Sequence, residues 1–328
     1  MDLRTVMGGL PKENLAPLPT PVQRLQNTEK LINAQHKMYI KHDDLTGIGS
    51  GGNKVRCMEY IIGRAKASGC DTILASGNGQ SNLCSLAAAC AARAGMKCRI
   101  VHNSEKTPVS VGNALLNDLL DVERIYMGAV DSSEREQYGH IVMQVLKDRG
   151  EKPYLIRNGA TTGHGALGYV NAVIELVDQC EKENLNIKHI FAPGGNGGIA
   201  TGLIYGNALM GFPFTVHIIS VEDTTPVLIQ HIENTIKEVE EITGLPFEHN
   251  VAEAADIVDA YMGGGWSVNT PESRQEVLDF VRTEGIYIEN VYTSKLMYGY
   301  KDMMKKGMAD GDAVVIHTGG FGSLFSQY

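Results

Sequence analysis

The sequence predicts an α/β fold in which a parallel sheet is covered by helices. Three observations carry that expectation. Short runs rich in Val and Ile alternate with longer segments of helical period, the pattern of strands buried on both faces. Two strand-to-helix connections are polar and glycine-rich, a composition suited to turns lining a ligand crevice at the carboxyl ends of parallel strands. At 328 residues the chain exceeds one typical hydrophobic core. No repeat, low-complexity tract or long linker divides it, so a second domain must share the chain by insertion.

The first helical signal is Val55, Met58, Ile61 and Ile62, entered from the turn Gly51-Gly52-Asn53-Lys54. Strands are predicted over 72–75, 98–102, 124–127 and 154–156, each short and apolar. The Ala-rich stretch 83–94 reads as a helix stopped by Gly95, and apolar residues at 167, 170, 173, 176, 177 and 180 give another. Strands follow at 189–192 and 215–221. Thr224-Thr225-Pro226 suits the start of a helix over 225–242, and 272–282 is a further helix ending near Gly285. The last strand is 313–317.

Composition excludes several classes. Hydrophobic residues make up 43% and charged residues 20%, as in ordinary globular proteins. The formal net charge of −9, without a local run of Lys or Arg, gives nucleic acid and anionic membrane no surface to bind. Residues 1–10 lack a basic start followed by an apolar stretch, and no segment reaches spanning length, so the cytoplasm is expected. The six cysteines show no C-x-x-C pair and read as small buried hydrophobes. The ten histidines form no metal-spaced cluster, and no metal is expected; His217 and His317, in apolar strands, read as hydrogen-bonded core residues.

Lys54 stands out because a lysine between glycines and an apolar helix face can be desolvated, which lowers its pKa and frees the amine to attack a carbonyl. An exposed first-turn lysine is the plainer reading of that tetrapeptide. Elsewhere the chain supplies what an aldehyde cofactor carrying a phosphate needs. Gly194-Gly195-Asn196-Gly197-Gly198, between a strand and a helix, has the layout of an anion cup in which backbone N–H groups and a helix dipole converge. No lysine accompanies it as in a Walker A loop, and no G-x-G-x-x-G with its acidic partner is present, which favours a monophosphate over a dinucleotide. Ser76-Gly77-Asn78-Gly79-Gln80-Ser81-Asn82 offers hydroxyl and amide groups beside first-turn N–H donors, suited to a carboxylate; capping by Ser81 or Asn82 explains only part of it. His317-Thr318-Gly319-Gly320 places a hydroxyl at a strand end, and Tyr292 and Trp266 lie where an aromatic face could meet a ligand.

In order and spacing, Lys41-His42-Asp43-Asp44, Gly51-Gly52-Asn53-Lys54, Gln80-Ser81-Asn82, Gly165-Ala166-Leu167-Gly168-Tyr169, the 194–198 turn, Val291-Tyr292-Thr293 and His317-Thr318-Gly319-Gly320 resemble one family over nearly the whole chain. It is the D-cysteine desulfhydrase and 1-aminocyclopropane-1-carboxylate deaminase group of fold type II pyridoxal phosphate enzymes. The resemblance implies a tryptophan synthase β-like fold of two open, twisted, mostly parallel sheets covered by helices, with a large cofactor-binding domain (1–47 and 165–328) and a small domain (48–164). It implies a homodimer acting on a small amino acid. Lys54 would carry pyridoxal 5'-phosphate as a Schiff base and move the Cα proton. Asn82 would bond the phenolic oxygen, Gln80 and Ser81 would hold the substrate carboxylate, and Gly194, Gly195, Asn196, Gly197 and Gly198 would hold the phosphate. Thr318 would face the pyridine nitrogen, and Tyr292 would stack or act as acid and base beside Trp266.

A neutral hydroxyl at Thr318 does not keep the ring protonated, which favours β-elimination over transamination. The resemblance thus implies carbon–sulfur lysis of the desulfhydrase kind, the alternatives being ring-opening deamination or β-replacement. Two departures, Leu83 where the family has a polar residue and Trp266 where it has tyrosine, make the pocket less polar. From another class, the rival is a non-catalytic nucleotide-binding α/β protein in which Lys54 is structural.

Overall fold

The computed structural model describes residues 2–328. Ten strands form two sheets: β1 (Val22–Arg24), β2 (Met38–Lys41), β3 (Thr72–Gly77), β4 (Lys97–His102), β5 (Glu123–Tyr126), β6 (Pro153–Leu155), β7 (Ile187–Gly194), β8 (Thr215–Ser220), β9 (Asp256–Val258) and β10 (Asp312–Ile316). The six-stranded sheet runs β1-β2-β10-β7-β8-β9 and the four-stranded sheet β5-β4-β3-β6. Only the edge pair β1–β2 is antiparallel; the other pairs are parallel, as the apolar runs flanked by helices require.

Every predicted strand is present within a few residues of its expected bounds. Three others were not expected. β1, β2 and β9 have three or four residues each, too short for a period-2 signal, and β2 ends on Lys41, whose ammonium is buried in an ion network. Helices Asn82–Arg93, Gly163–Glu183, Thr225–Thr243 and Pro271–Glu284 match their signals, the last stopping at Gly285 with φ +72°. His217 and His317 are buried and hydrogen-bonded, His217 to His189 and Asp256, His317 to the Tyr287 carbonyl. All six cysteines are free; four are buried and Cys70 and Cys180 half-buried.

We propose that the chain divides at 47/48 and 164/165 into two domains, because every strand of the four-stranded sheet falls inside 48–164 and every strand of the other outside it. Helix Lys54–Ala67 packs on helix Gly163–Glu183 across that boundary, and one apolar core containing Val55, Ile73, Leu167 and Ile190 is continuous through it. Gly168 permits the approach: a Cβ there would lie 2.5 Å from the Arg56 carbonyl oxygen. The next residue, Tyr169, donates its hydroxyl to Asp43 Oδ2 at 2.7 Å.

The turn before Lys54 is built on glycine for steric reasons. Gly51 has φ +73°, and a Cβ on it would sit 1.8 Å from the Asp44 carbonyl oxygen. Gly52 bridges to Gly319, and the Asn53 N–H donates to the Thr318 carbonyl at 3.0 Å. The backbone that launches the Lys54 helix is therefore pinned to the end of β10. Gly51→Ala is expected to destabilise the fold by roughly 1–3 kcal/mol, the range of a forced backbone conformation. Urea unfolding checks it; an unchanged midpoint would refute this account of the turn.

Candidate active site

The carboxyl ends of the parallel strands of both sheets open on one cavity of about 850 Å³, the position expected for a ligand crevice in open α/β sheets. Lys54, Gln80, Ser81, Asn82, Gly195, Asn196, Gly197, Gly198, Trp266, Tyr292 and Thr318 all line it. Gly194 does not. It is the last residue of β7, and the space a Cβ would take is filled by Leu228 and Ile218 at 2.5 and 2.7 Å.

Lys54 is the first residue of its helix, and its Nζ donates to the Gly159 carbonyl at 2.7 Å. Among the described residues, no carboxylate pairs with it. Burial without a counter-ion disfavours the ammonium and lowers its pKa from the ordinary lysine value. The amine is thereby biased toward its nucleophilic form.

The glycine turn after β7 enters helix Gly198–Leu209 through Gly197, with φ +88° and no side-chain cap. Uncapped first-turn N–H groups lack intrahelical partners and suit an anion. The cup's one side chain, Asn196, is held on both sides: Nδ2 donates to Glu222 Oε2 at 2.8 Å and Oδ1 accepts from Asn158 Nδ2 at 3.0 Å.

The turn after β3 divides its polar groups between structure and cavity. Ser81 is the N-cap of helix Asn82–Arg93, its Oγ accepting the Cys84 N–H at 3.3 Å. Gln80 is committed to the neighbouring segment, donating Nε2 to the Val111 carbonyl and accepting the Asn113 N–H. Its side chain therefore braces the start of helix Gly112–Leu119, a role that sequence order did not reveal. Asn82 accepts from Asn113 Nδ2 at 2.7 Å, leaving its own Nδ2 as a donor at the cavity wall. Leu83 is buried in the first turn beside it.

Across the cavity, Trp266 Nε1 donates to Tyr292 Oη at 3.0 Å. Burial raises the Tyr292 pKa above that of a free phenol, so the hydroxyl keeps its proton. Because an indole only donates, the phenolic hydrogen stays directed elsewhere. Tyr292 is fixed by Glu289, whose carboxylate accepts the N–H groups of Val291, Tyr292 and Thr293. Sequence reasoning missed Glu289, Glu222, Arg135, Asn158 and Gly159. The one signal available was position: Asn158 and Glu222 each follow a strand end by a few residues.

Among the described residues, no helix is long and apolar enough to cross a membrane. A family model described as pyridoxal-phosphate dependent enzyme matches residues 14–319. Proteins named "Putative 1-aminocyclopropane-1-carboxylate deaminase" from Pyrococcus abyssi and Pyrococcus horikoshii are 32% and 33% identical over 320 residues, covering 98% of this chain and 94% and 95% of theirs. A crystal structure described as an ACC deaminase homologue superposes with a TM-score of 0.90 at 33% identity, covering 98% of this chain and 95% of that one. A hydrogen sulfide-producing enzyme from Fusobacterium nucleatum shares the fold, with a TM-score of 0.63 at 16% identity over 96% of this chain and 95% of its own.

Proposed function

As the chain belongs to the pyridoxal-phosphate dependent enzymes, we propose that it is a cytoplasmic, homodimeric lyase that acts on a small amino acid by β-elimination, yielding a 2-oxo acid and ammonia, with sulfide when the leaving group is sulfur. The observation that carries this reading is the Lys54 amine, desolvated and free of any carboxylate, in the same cavity as an uncapped, glycine-built anion cup.

The donor set fits the cofactor. The N–H groups around Gly195, Gly197 and Gly198 suit its phosphate. The free Nδ2 of Asn82 suits an oxyanion on the ring, and the Thr318 hydroxyl, which also lines the cavity, suits the ring nitrogen without protonating it. When bound, pyridoxal phosphate supplies the electron sink that stabilises negative charge at the substrate Cα. Lys54, its amine biased toward the neutral form by desolvation, takes the Cα proton. Tyr292, kept protonated by burial and with its hydrogen not engaged by Trp266, donates toward the departing β-substituent. Ser81 and the first-turn N–H groups of its helix receive the substrate carboxylate. Leu83 and Trp266 narrow the choice to small or apolar side chains.

The relatives' names support a second reading, ring-opening deamination of 1-aminocyclopropane-1-carboxylate. Assays with D-cysteine, L-cysteine, β-chloroalanine and 1-aminocyclopropane-1-carboxylate separate the possibilities. The expected result is 2-oxo acid and ammonia from cysteine and β-chloroalanine without an added nucleophile. Turnover of the cyclopropane alone would move the assignment to deamination, and product formation that needs a nucleophile would move it to β-replacement.

A further inference from the structure

Side chains around the anion cup form one hydrogen-bonded line across the cavity. Arg135, in helix Ser132–Asp148, is 4% exposed, and among the described residues no carboxylate bonds to it. Its Nε donates to Ser76 Oγ at 3.3 Å, Nη1 to Asn103 Oδ1 at 2.7 Å and Nη2 to Asn158 Oδ1 at 2.8 Å. Asn158 Nδ2 donates onward to Asn196 Oδ1 at 3.0 Å, and Asn196 Nδ2 donates to Glu222 Oε2 at 2.8 Å. A guanidinium only donates, so the arginine end dictates how both amides are turned. All the dipoles then run the same way, and each bond polarises the next. The line crosses from loops of the four-stranded sheet, which carry Asn103 and Asn158, to loops of the six-stranded sheet, which carry Asn196 and Glu222.

Its central member touches both halves of the chemistry. Asn158 holds the cup's one side chain, and its neighbour Gly159, with φ +67°, offers the carbonyl on which the Lys54 amine rests at 2.7 Å. A Cβ on Gly159 would lie 3.3 Å from Asn196 Oδ1, so the amine's seat and the cup are in contact through this turn. With both polar atoms of Asn196 engaged, the cup meets an anion with backbone N–H groups held in one orientation.

We propose that Asn158 is a positioning residue: it fixes the anion cup through Asn196 and seats the Lys54 amine through Gly159, with Arg135 and Glu222 polarising the line from its two ends. This rests on the reading of the cup as the cofactor's phosphate site. Absorbance titration of the apoprotein with pyridoxal phosphate, and with pyridoxal, which lacks the phosphate, tests it in the wild type, Asn158→Ala, Asn196→Ala and the double variant. Each single change is expected to weaken pyridoxal phosphate binding about 10-fold, the effect of about one hydrogen bond. The double variant is expected to be no weaker than the weaker single one, and the losses for pyridoxal smaller. Losses that multiply in the double variant, or wild-type affinity in Asn158→Ala, would overturn the proposal. If Asn158→Ala does not fold, Asn158→Asp takes its place in the same cycle. Aspartate keeps the acceptor for Arg135 and lacks the donor for Asn196, so its charge acts with or without Asn196 while the relay acts only with it. A wild type that takes up no pyridoxal phosphate overturns the functional reading itself; a wild type that binds, with multiplying losses, overturns only the relay.

Discussion

Lys54→Ala is expected to remove the near-visible absorbance of the cofactor-loaded protein and to lower turnover by at least about 10²–10⁴-fold, the share of a positioned proton-transfer group alone. The residue is assigned two tasks, holding the aldehyde and moving the Cα proton, and no neighbour duplicates it. Arg135, a buried residue that also lines the cavity, is a guanidinium that cannot act as a base. Spectra and single-turnover rates check the expectation, and retention of the absorbance band in the variant would place the nucleophile elsewhere. Stability responds to the same residue. Desolvation lowers the Lys54 pKa in the folded state, so between that value and the ordinary lysine value near 10.4 the unfolded chain binds more protons. Its contribution to the stability of the apoprotein therefore rises with pH across that window, and the variant should lack this slope.

Arg56→Met is expected to lower the unfolding free energy by about 3–5 kcal/mol, the cost of breaking a buried ion network by removing one partner. Arg56 lies two residues beyond Lys54 and is 1% exposed. Its Nε and Nη2 donate to the two oxygens of Asp43 at 2.8 Å each, and Nη1 and Nη2 reach Glu175 at 3.1 and 2.7 Å. Lys41 donates to Glu175 Oε1 at 2.6 Å and to Gln179 Oε1 at 2.7 Å. Burial alone would raise the Asp43 pKa, but Arg56 and Lys41 outweigh it and hold the carboxyl below its usual value. With Arg56 gone, Asp43 keeps Thr20 and Tyr169 as its direct hydrogen-bond donors in a fully buried position. Urea unfolding with an unchanged m-value measures the loss. A change below about 1 kcal/mol would mean that the network contributes as little as a surface pair.

These two residues show how much was legible in the sequence. Lys54 could be singled out because glycines on one side and an apolar helix face on the other are local features, and the cup and the Ser81 cap were legible for the same reason. Arg56 resembled any helical arginine, since nothing nearby in sequence announces that Asp43 and Glu175 converge on it. The same limit hid Gln80's bond to the 111–113 turn and the Asn158–Asn196 contact, which join loops on different sheets. Strands β1, β2 and β9 were hidden by brevity, β2 being recognisable only once β10 lies beside it. Gly194 was grouped with the cup on glycine content alone, whereas its missing side chain serves packing against Leu228.

The pairing of β2 with β10 and the bond from Asn53 to Thr318 have a consequence for biosynthesis. Lys54 is made well before β10, the strand that secures its turn. Pairings of such sequence separation form slowly, because the loop between them must be closed first. A nascent or truncated chain ending before residue 312 thus carries the amine without β10 to fix its turn or Thr318 to complete the cavity. Until β10 has been made and has paired with β2, the turn before Lys54 is not held in place.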